Sequence, residues 1–462
     1  METQNQQESK FGKWIRESIT ARMIMVGFLI IILMIPLSYI KTLIQERMQR
    51  QQEVVDEINQ KWGEEVLIYG PILKVPYKTY KTKNTYIEKT KTWEKEEIEY
   101  LNFAYFFPEN LTIASTINPE EKTRGIYKTA VYQSNILING KFTKPDFTEI
   151  DANEKDILWD KAKIVLQTSN LKGANSLFKI KFNKNDYPMT SSKFIKENHT
   201  NFKDYNEVTL NELETKFIKI EDIPNTKETT FSMDVKMKGS EQIRFIPIGK
   251  QTDVTVKSNW KTANFIGEYL PYNSEKITET GFHAKWKVLD INRPFSQQFF
   301  KEIPNLNQFS FGVNFMIPVD EYQKSERSAK YGFLVIGLTF LIFFLIQTMS
   351  KITIHPFQYL MIGVALTMFY TLLISISEHS SFLKAYLIAG TSVIILISLY
   401  SKSILKNIKF PLLIGISLTA IYSFIFVIIQ LENYALLVGS IGLFIILALV
   451  MFTSRKIDWQ ND

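Results

Sequence analysis

Six long, almost uncharged apolar segments constrain this 462-residue chain more than any other feature of its sequence. A transmembrane helix needs about 20 predominantly apolar residues, because the hydrocarbon core holds no water to satisfy the backbone. The predicted transmembrane helices are residues 23–40, 331–349, 357–376, 382–400, 410–430 and 434–453. The chain is therefore predicted to be an integral membrane protein whose one certain partner is the lipid bilayer.

The first apolar segment has two interpretations. Lys13, Arg16 and Arg22 precede it, as basic residues precede the apolar region of a cleaved signal peptide. Its length and the lack of a small-residue cleavage pattern near Lys41 favour an uncleaved membrane anchor instead.

The basic residues of the short connecting segments predict the orientation of these helices. Lys and Arg concentrate in cytoplasmic loops. If six helices alternate, one side receives Lys351, the three lysines of residues 402–409 and the basic residues of both termini, whereas segments 377–381 and 431–433 have none. Lys384 is an exception, and its long side chain can reach the interface. Both termini are therefore predicted to be cytoplasmic.

Residues 41–330 form one polar interval between the first two apolar segments. Of the formal charge of +7, this interval carries +3 and the rest of the chain +4. Such a balanced domain binds phosphate poorly, so nucleic acid is not an expected partner. The chain has no cysteine, so a domain in an oxidising compartment must be stabilised by its core and not by disulfides.

Alternating apolar residues predict β-strands within this interval. A helical pattern over residues 42–62 ends before Gly70-Pro71, and the period then changes to two residues. The clearest alternating sets are Phe178, Ile180 and Phe182; Phe231, Met233, Val235 and Met237; Phe282, Ala284, Trp286 and Val288; and Phe309, Phe311, Val313 and Phe315. Many strands without helices between them favour antiparallel sheets packed as a sandwich. The Lys- and Glu-rich stretch from Lys78 to Lys95 is most simply a solvated strand face.

These patterns divide the chain into five predicted parts. They are a cytoplasmic segment (1–22), the first transmembrane helix (23–40), a β-rich outer domain (41–330), a five-helix transmembrane bundle (331–453) and a cytoplasmic tail (454–462). The predicted fold class is a membrane protein with a six-helix bundle and a large inserted, antiparallel, sandwich-like β domain. The oligomeric state stays open.

The sequence lacks the motifs of several common enzyme classes and ligand-binding sites. It has no Gly-x-Ser-x-Gly elbow, no His-Glu-x-x-His, no phosphate-binding glycine loop and no EF-hand loop. Its four histidines are scattered, which disfavours a metal site. We therefore expect no catalytic residues, no cofactor and no metal. An enzyme whose acid and base meet only in the fold is a third-ranked alternative.

Five polar residues at the predicted outer ends of the helices are candidate functional groups, here called the outer rim. Glu378 and His379 follow the third predicted helix. Gln430, Glu432 and Tyr434 lie between the fifth and the sixth. Ionisable groups near hydrocarbon are costly and often functional, which would make the bundle a transporter or lipid-handling unit. The alternative is that they cap helix ends at the wet interface.

Blocks of sequence along nearly the whole chain resemble one family. They are YGPILKVPY from Tyr69, RGIYKTAVYQSNILINGKF from Arg124, GSEQIRFIPIGKQTDVTVKSNW from Gly239, PVDEYQKSERSAKYGFLVIGLTF from Pro318, ISISEHSSFLKAYLIAG and IIQLENYALLVGSIGLFIILALVMFTSRKIDW. In content and order they resemble the CreD family of bacterial inner-membrane proteins. The resemblance implies a multi-pass plasma-membrane protein with a periplasmic domain, linked to cell-envelope integrity, the CreBC two-component system and the β-lactam response, without an assigned biochemical activity. Residues 144–222 resemble the family only loosely.

The resemblance also draws attention to a charged block before the second predicted transmembrane helix, here called the collar. It comprises Asp320, Tyr322, Gln323, Lys324, Glu326 and Arg327. Such a block can orient the outer domain by ion pairs and headgroup contacts, or transmit a signal to the helices, and the structural role is favoured.

The favoured functional interpretation is a non-enzymatic protein of the cell envelope. Its periplasmic domain would bind an envelope component or a partner protein, and its helices would anchor it. The runner-up is a transporter or lipid-handling protein that works through the outer rim.

Overall fold

The chain forms two compact units in the computed structural model. Residues 18–87, 92–150, 152–192, 209–224, 228–315, 317, 321–350, 352–405, 408–431 and 434–455 are described. The membrane unit consists of Met1–Glu53 and Val319–Asp462, and the β unit consists of Val54–Pro318.

Helices account for most of the membrane unit. In the described residues they are α1 (Ile19–Trp62), α2 (Glu321–Lys330), α3 (Gly332–Ser350), α4 (Pro356–Ser377), α5 (Phe382–Leu405), α6 (Lys409–Gln430) and α7 (Ala435–Ser454). All except α2 are long and apolar enough to cross a membrane. The prediction of one N-terminal and five C-terminal spans is thus confirmed.

Helix α1 continues well past the predicted first span. No Gly or Pro interrupts residues 41–62, so the apolar segment and the polar helical pattern after it form one continuous helix. Its last nine residues, 54–62, belong to the β unit. The predicted limits of the outer domain at residues 41 and 330 stay predictions.

The described residues of the collar lie on a short helix of their own, α2. In α2 the buried residues Tyr322, Ser325, Ser328 and Ala329 recur at helical spacing, whereas the charged residues occupy the remaining positions. The rest of the unit has an aromatic core, in which the rings of Phe369 and Tyr422 lie 4.6 Å apart. The collar is therefore an amphipathic helix that packs within the membrane unit.

The β unit contains sixteen strands in its described residues. They are β1 (Val66–Ile87), β2 (Thr92–Phe106), β3 (Asn110–Arg124), β4 (Tyr127–Phe142), β5 (Lys163–Thr168), β6 (Lys179–Phe182), β7 (Asn185–Ser191), β8 (Asn211–Thr215), β9 (Thr229–Ser240), β10 (Gln242–Phe245), β11 (Gln251–Ser258), β12 (Asn264–Gly267), β13 (Ile277–Thr278), β14 (Gly281–Leu289), β15 (Gln298–Phe300) and β16 (Phe311–Asn314). Short 3-10 helices lie at Glu154–Asp156, Trp159–Lys161, Ile220–Asp222, Asp290–Asn292 and Asn307–Phe309.

These strands form a mixed, mostly antiparallel sheet. Hydrogen-bonded neighbours run in the order β12-β16-β10-β1-β5-β8-β7-β6-β9-β4-β3-β11-β14-β13, and β2 joins β1 to β15. Two pairings, β1 with β10 and β3 with β11, are parallel. Alternation within one strand carries no information on the direction of its neighbour, so the sequence predicted only antiparallel pairs.

The core of the β unit lies between two parts of this sheet. Trp286 on β14 is 2% exposed and contacts Phe311 on β16, with ring centroids 5.5 Å apart. It also contacts Phe265 on β12, at 5.8 Å. The alternating residues predicted to be buried on β6, β9, β14 and β16 are buried, except that Phe309 is half-buried.

One buried carboxylate organises the edge of this core. Asp222 is 1% exposed, and it accepts hydrogen bonds from the Asn183 amide at 3.2 Å, the Asn185 amide at 2.8 Å and the Tyr187 hydroxyl at 2.5 Å. Burial, together with the bond to Asp222, raises the pKa of Tyr187 to about 12. The chain around residues 183–187 is thereby tied to the segment that precedes β9.

Candidate functional site

Glu378 of the outer rim is the centre of a polar network in the membrane unit. It caps the C-terminus of α4, and its side chain is 15% exposed. Its carboxylate pairs with Arg47 of α1, at 3.5 Å between Oε1 and Nε, and accepts a hydrogen bond from the Tyr322 hydroxyl of α2, at 3.2 Å. One carboxylate therefore joins three helices, and it brings the predicted rim and the predicted collar together.

Glu321 extends this network to a fourth helix. Its Oε2 accepts a hydrogen bond from the backbone N–H of Phe382, the first residue of α5, at 2.8 Å. A carboxylate at a helix N-terminus satisfies an unpaired donor and interacts favourably with the helix dipole. The sequence analysis missed Glu321, because its partner lies 61 residues further along the chain and only the fold brings them together.

The other predicted rim residues do not join this network. His379 lies in the turn after α4, Gln430 ends α6, and Tyr434 is the exposed residue before α7. In the described part of the chain, no side-chain hydrogen bond or ion pair connects these three to Glu378. Glu432 lies outside the described residues.

The remaining described collar residues differ in how far they are exposed. Gln323 is exposed, whereas Lys324, Glu326 and Arg327 are half-buried. Glu326 pairs with Lys330 of the same helix at 3.3 Å. Asp320 lies outside the described residues. Tyr322 of the collar and its neighbour Glu321 each link α2 to another helix.

The network is suited to linking helices and not to catalysis. A carboxylate already engaged by a guanidinium and a phenol is poorly placed to act as a base. Arg47 is 47% exposed, so solvent screens the pair and limits its contribution to stability. The arrangement is suited to holding α1, α2, α4 and α5 in register.

The β unit has an exposed, projecting two-stranded ribbon, here called the β-arm. It consists of residues 78–87 of β1 and 92–101 of β2, paired antiparallel. Beyond Tyr77, these strands pair with no other strand in the described residues. At roughly 3.3 Å per residue the β-arm is about 30 Å long.

Large side chains occupy one face of the β-arm. Residues directly opposite one another share a face of an antiparallel pair. The register therefore places Tyr80, Tyr86, Trp93 and Leu101 on the same face, where 48%, 46%, 67% and 55% of each is exposed. The rings of Tyr86 and Trp93 lie 5.2 Å apart. Tyr86 and Trp93 thus form an exposed aromatic pair on this face, and clustered exposed apolar groups mark interaction surfaces.

Polar contacts hold the base of the β-arm. A lone hairpin is marginally stable in water, so a ribbon this long needs them. Lys78 pairs with Glu99 at 2.9 Å, and the Tyr80 hydroxyl donates to Asp156 at 3.1 Å, which raises the pKa of Tyr80. On the opposite face the Lys81 ammonium lies 5.4 Å from the centre of the Tyr100 ring.

The described residues of the predicted solvated strand face from Lys78 to Lys95 lie in a ribbon that is solvated on both faces. That prediction was based on its lysines and glutamates, and its aromatic residues were not predicted to be functional. Their even spacing along each strand, six residues from Tyr80 to Tyr86 and eight from Trp93 to Leu101, was the available signal.

The carboxylate of Glu241 is the one acidic group of the β unit whose pKa burial raises in the described residues. A hydrogen bond from Asn59 opposes the shift, and Asp56 and Glu65 add to it. Among the described residues, no three His, Asp or Glu side chains lie close enough to hold a metal ion. The expectation of no cofactor stays a prediction.

Comparison with known proteins places the chain in a family. The family model described as Inner membrane protein CreD matches residues 18–460. The chain is also 27% identical over 433 residues to the inner membrane protein CreD of Escherichia coli strain K12, and the alignment covers 93% of this chain and 91% of that relative. Both matches extend over the apolar segments and the β unit. The resemblance predicted from the sequence blocks is confirmed: this multi-pass inner-membrane protein belongs to the CreD family.

Proposed function

We propose that this protein supports the integrity of the cell envelope without catalysing a reaction, by binding an envelope polymer through its β unit. The observation that carries the proposal is the β-arm, with its exposed Tyr80, Tyr86 and Trp93 on one face. The absence of recognisable catalytic motifs from the sequence supports the non-enzymatic part.

The chemistry of the β-arm favours a hydrated polymer that contains sugar rings. Tyr and Trp offer a flat apolar surface together with a polar edge, which suits partners that are only partly apolar. Asn84, Lys95 and Glu97 lie exposed on the same face and supply hydrogen-bond donors and acceptors. The dense Lys and Glu content of the ribbon opposes insertion into lipid. A glycan strand of the cell wall has both properties.

The orientation required is that both termini lie in the cytoplasm and the β unit lies in the periplasm. It is supported by Lys402 in the last turn of α5 and Lys409 at the start of α6, whereas the 377–381 segment has no Lys or Arg. The chain has no cysteine, so a single introduced one reports its own location. In intact spheroplasts, a membrane-impermeant maleimide should label Glu97→Cys and spare Lys402→Cys. The reverse pattern would refute the orientation.

Binding is tested with the full-length protein in detergent and isolated cell-wall sacculi, by co-sedimentation. The double variant Tyr86→Ser, Trp93→Ser should lose about tenfold or more in affinity, because exposed aromatic anchors dominate such interfaces. Tyr100→Ser is the matched control, since Tyr100 is 44% exposed on the opposite face. Equal sedimentation of both variants and the wild type would contradict the proposal.

The role in the envelope is tested by complementation of a deletion strain. Wild type and Tyr100→Ser should restore the permeability barrier and the β-lactam response, and the double variant should not. The runner-up, a transporter that works through the outer rim, gains little from the structure, because the Glu378 carboxylate is engaged by Arg47 and Tyr322.

A further inference from the structure

A long apolar groove opens between α5 and α6, in the half of the membrane unit farther from the outer rim. Its volume is about 670 Å³. The wall is built from aliphatic side chains of residues 394–399 and 408–420, and its polar members are Ser398, Lys402 and Thr419. The Thr419 hydroxyl donates to the Gly415 carbonyl of its own helix at 2.8 Å, so it is already satisfied.

The groove is charged at only one end. Lys402 is exposed in the last turn of α5, and Lys409 is exposed as the first residue of α6. The positive charge is therefore concentrated where the two helices are connected, at one end of an otherwise apolar channel.

Ser398 is the second feature of the wall that points to a polar ligand atom. Its hydroxyl is buried and has no hydrogen-bond partner among the described residues. Such a group destabilises a buried site unless a partner satisfies it. Ser398 and Lys402 are four residues apart on one helical face, which separates them by about 6 Å along the axis. A ligand with two polar groups, one turn apart, would reach both.

We propose that this groove binds an anionic phospholipid. The acyl chain lies in the apolar channel, the phosphate lies at Lys402 and Lys409, and the ester region lies beside Ser398. Basic pockets between transmembrane helices recognise anionic headgroups in this way. A free phosphate would leave the apolar channel unfilled. A second copy of the chain would bring the same lysines against one another.

The headgroup site is tested with the full-length protein in phosphatidylcholine vesicles that contain a minority of phosphatidylglycerol. Spin-labelled lipids of each class report the preference for phosphatidylglycerol over phosphatidylcholine. Wild type should prefer phosphatidylglycerol, and Lys402→Gln should reduce the preference about fivefold, with a similar further loss from Lys409→Gln. Lys384→Gln is the matched control, because Lys384 is equally exposed at the other end of α5.

The channel is tested separately with a larger side chain at Gly415. A Cβ there would lie 3.0 Å from the Ser398 hydroxyl, so Gly415→Leu obstructs the groove. Gly337→Leu is the control, because a Cβ at Gly337 meets nothing within 4 Å. Gly415→Leu should weaken retention of both lipid classes, and thermal unfolding in detergent checks that each variant is folded.

Three results would overturn the proposal. They are a wild type without headgroup preference, lysine variants that lose no more preference than Lys384→Gln, and a change in oligomer mass that accompanies the groove variants. The last would show that a second copy of the chain occupies the groove.

Discussion

The membrane unit and the β-arm use charged residues in opposite ways. In the membrane unit the carboxylates of Glu378 and Glu321 are partly buried, and each binds a partner on another helix. In the β-arm the charged residues are many and mostly exposed, and the pair of Lys78 with Glu99 lies within the ribbon itself. Near hydrocarbon an unpaired charge is costly, whereas in water it is cheap. Charge therefore carries structural information in the membrane unit and little in the β-arm.

Replacing the buried carboxylate of the β unit should have the largest effect on stability. It tests whether burial, and not proximity to the membrane, makes a charged residue important for the fold. Asp222→Ala leaves the donors of Asn183, Asn185 and Tyr187 without their acceptor. We expect a loss of about 3 kcal/mol or more in unfolding free energy. Hydrogen exchange of the full-length protein should localise the loss to residues 179–191. Asp186 is exposed, so Asp186→Ala should change stability by less than about 0.5 kcal/mol. Equal losses of stability in the two variants would show that burial does not decide the effect.

Glu378→Gln should have the second largest effect. The amide keeps an acceptor for Tyr322 but gives up the charge that pairs with Arg47. We expect a loss of about 1 kcal/mol in the membrane unit, seen as faster hydrogen exchange at the ends of α2 and α4. His379→Ala, next to it in the chain, is the control. If Glu378→Gln folds normally and yet abolishes complementation, the outer rim is functional and not only structural.

Glu241→Gln should raise the thermal stability slightly at neutral pH. Burial raises the pKa of Glu241 in the folded protein, so the folded state favours the protonated form. The stability contributed by this group is therefore complete below the unfolded-state pKa of about 4.3 and is lost as the pH rises through the folded-state pKa. The melting temperatures of variant and wild type should differ at pH 7 and converge near pH 4. A difference that widens in acid would reverse the sign and refute this account.

Glu99→Gln should have the smallest effect. Glu99 lies on the exposed β-arm, where solvent screens its pair with Lys78. Thermal unfolding of the full-length protein should show no measurable change at physiological salt. A large destabilisation would mean that this pair, and not the Tyr80 contact with Asp156, holds the base of the β-arm.

Local patterns in the sequence were enough to predict most of the elements. The six spans follow from the length that a bilayer demands, and strands such as β9 and β14 follow from two-residue alternation. The helix over residues 42–62 was predicted, and it continues the first span as α1. The parallel pairings of β1 with β10 and of β3 with β11 were not predicted, because they depend on strands far apart in the chain, which no local pattern describes.

The sequence by itself determined which segments are lipid-compatible, which are strands and to which family the chain belongs, because each of these properties is written in neighbouring residues. Only the tertiary structure decided that Arg47, Tyr322 and Glu378 meet, although hundreds of residues separate the first from the others. It also decided that Tyr86 and Trp93 share a face of the β-arm, since a slip of one residue in the register would place them on opposite faces. These long-range pairings depend on the free energy of the whole folded chain, which the residues of one segment cannot determine alone.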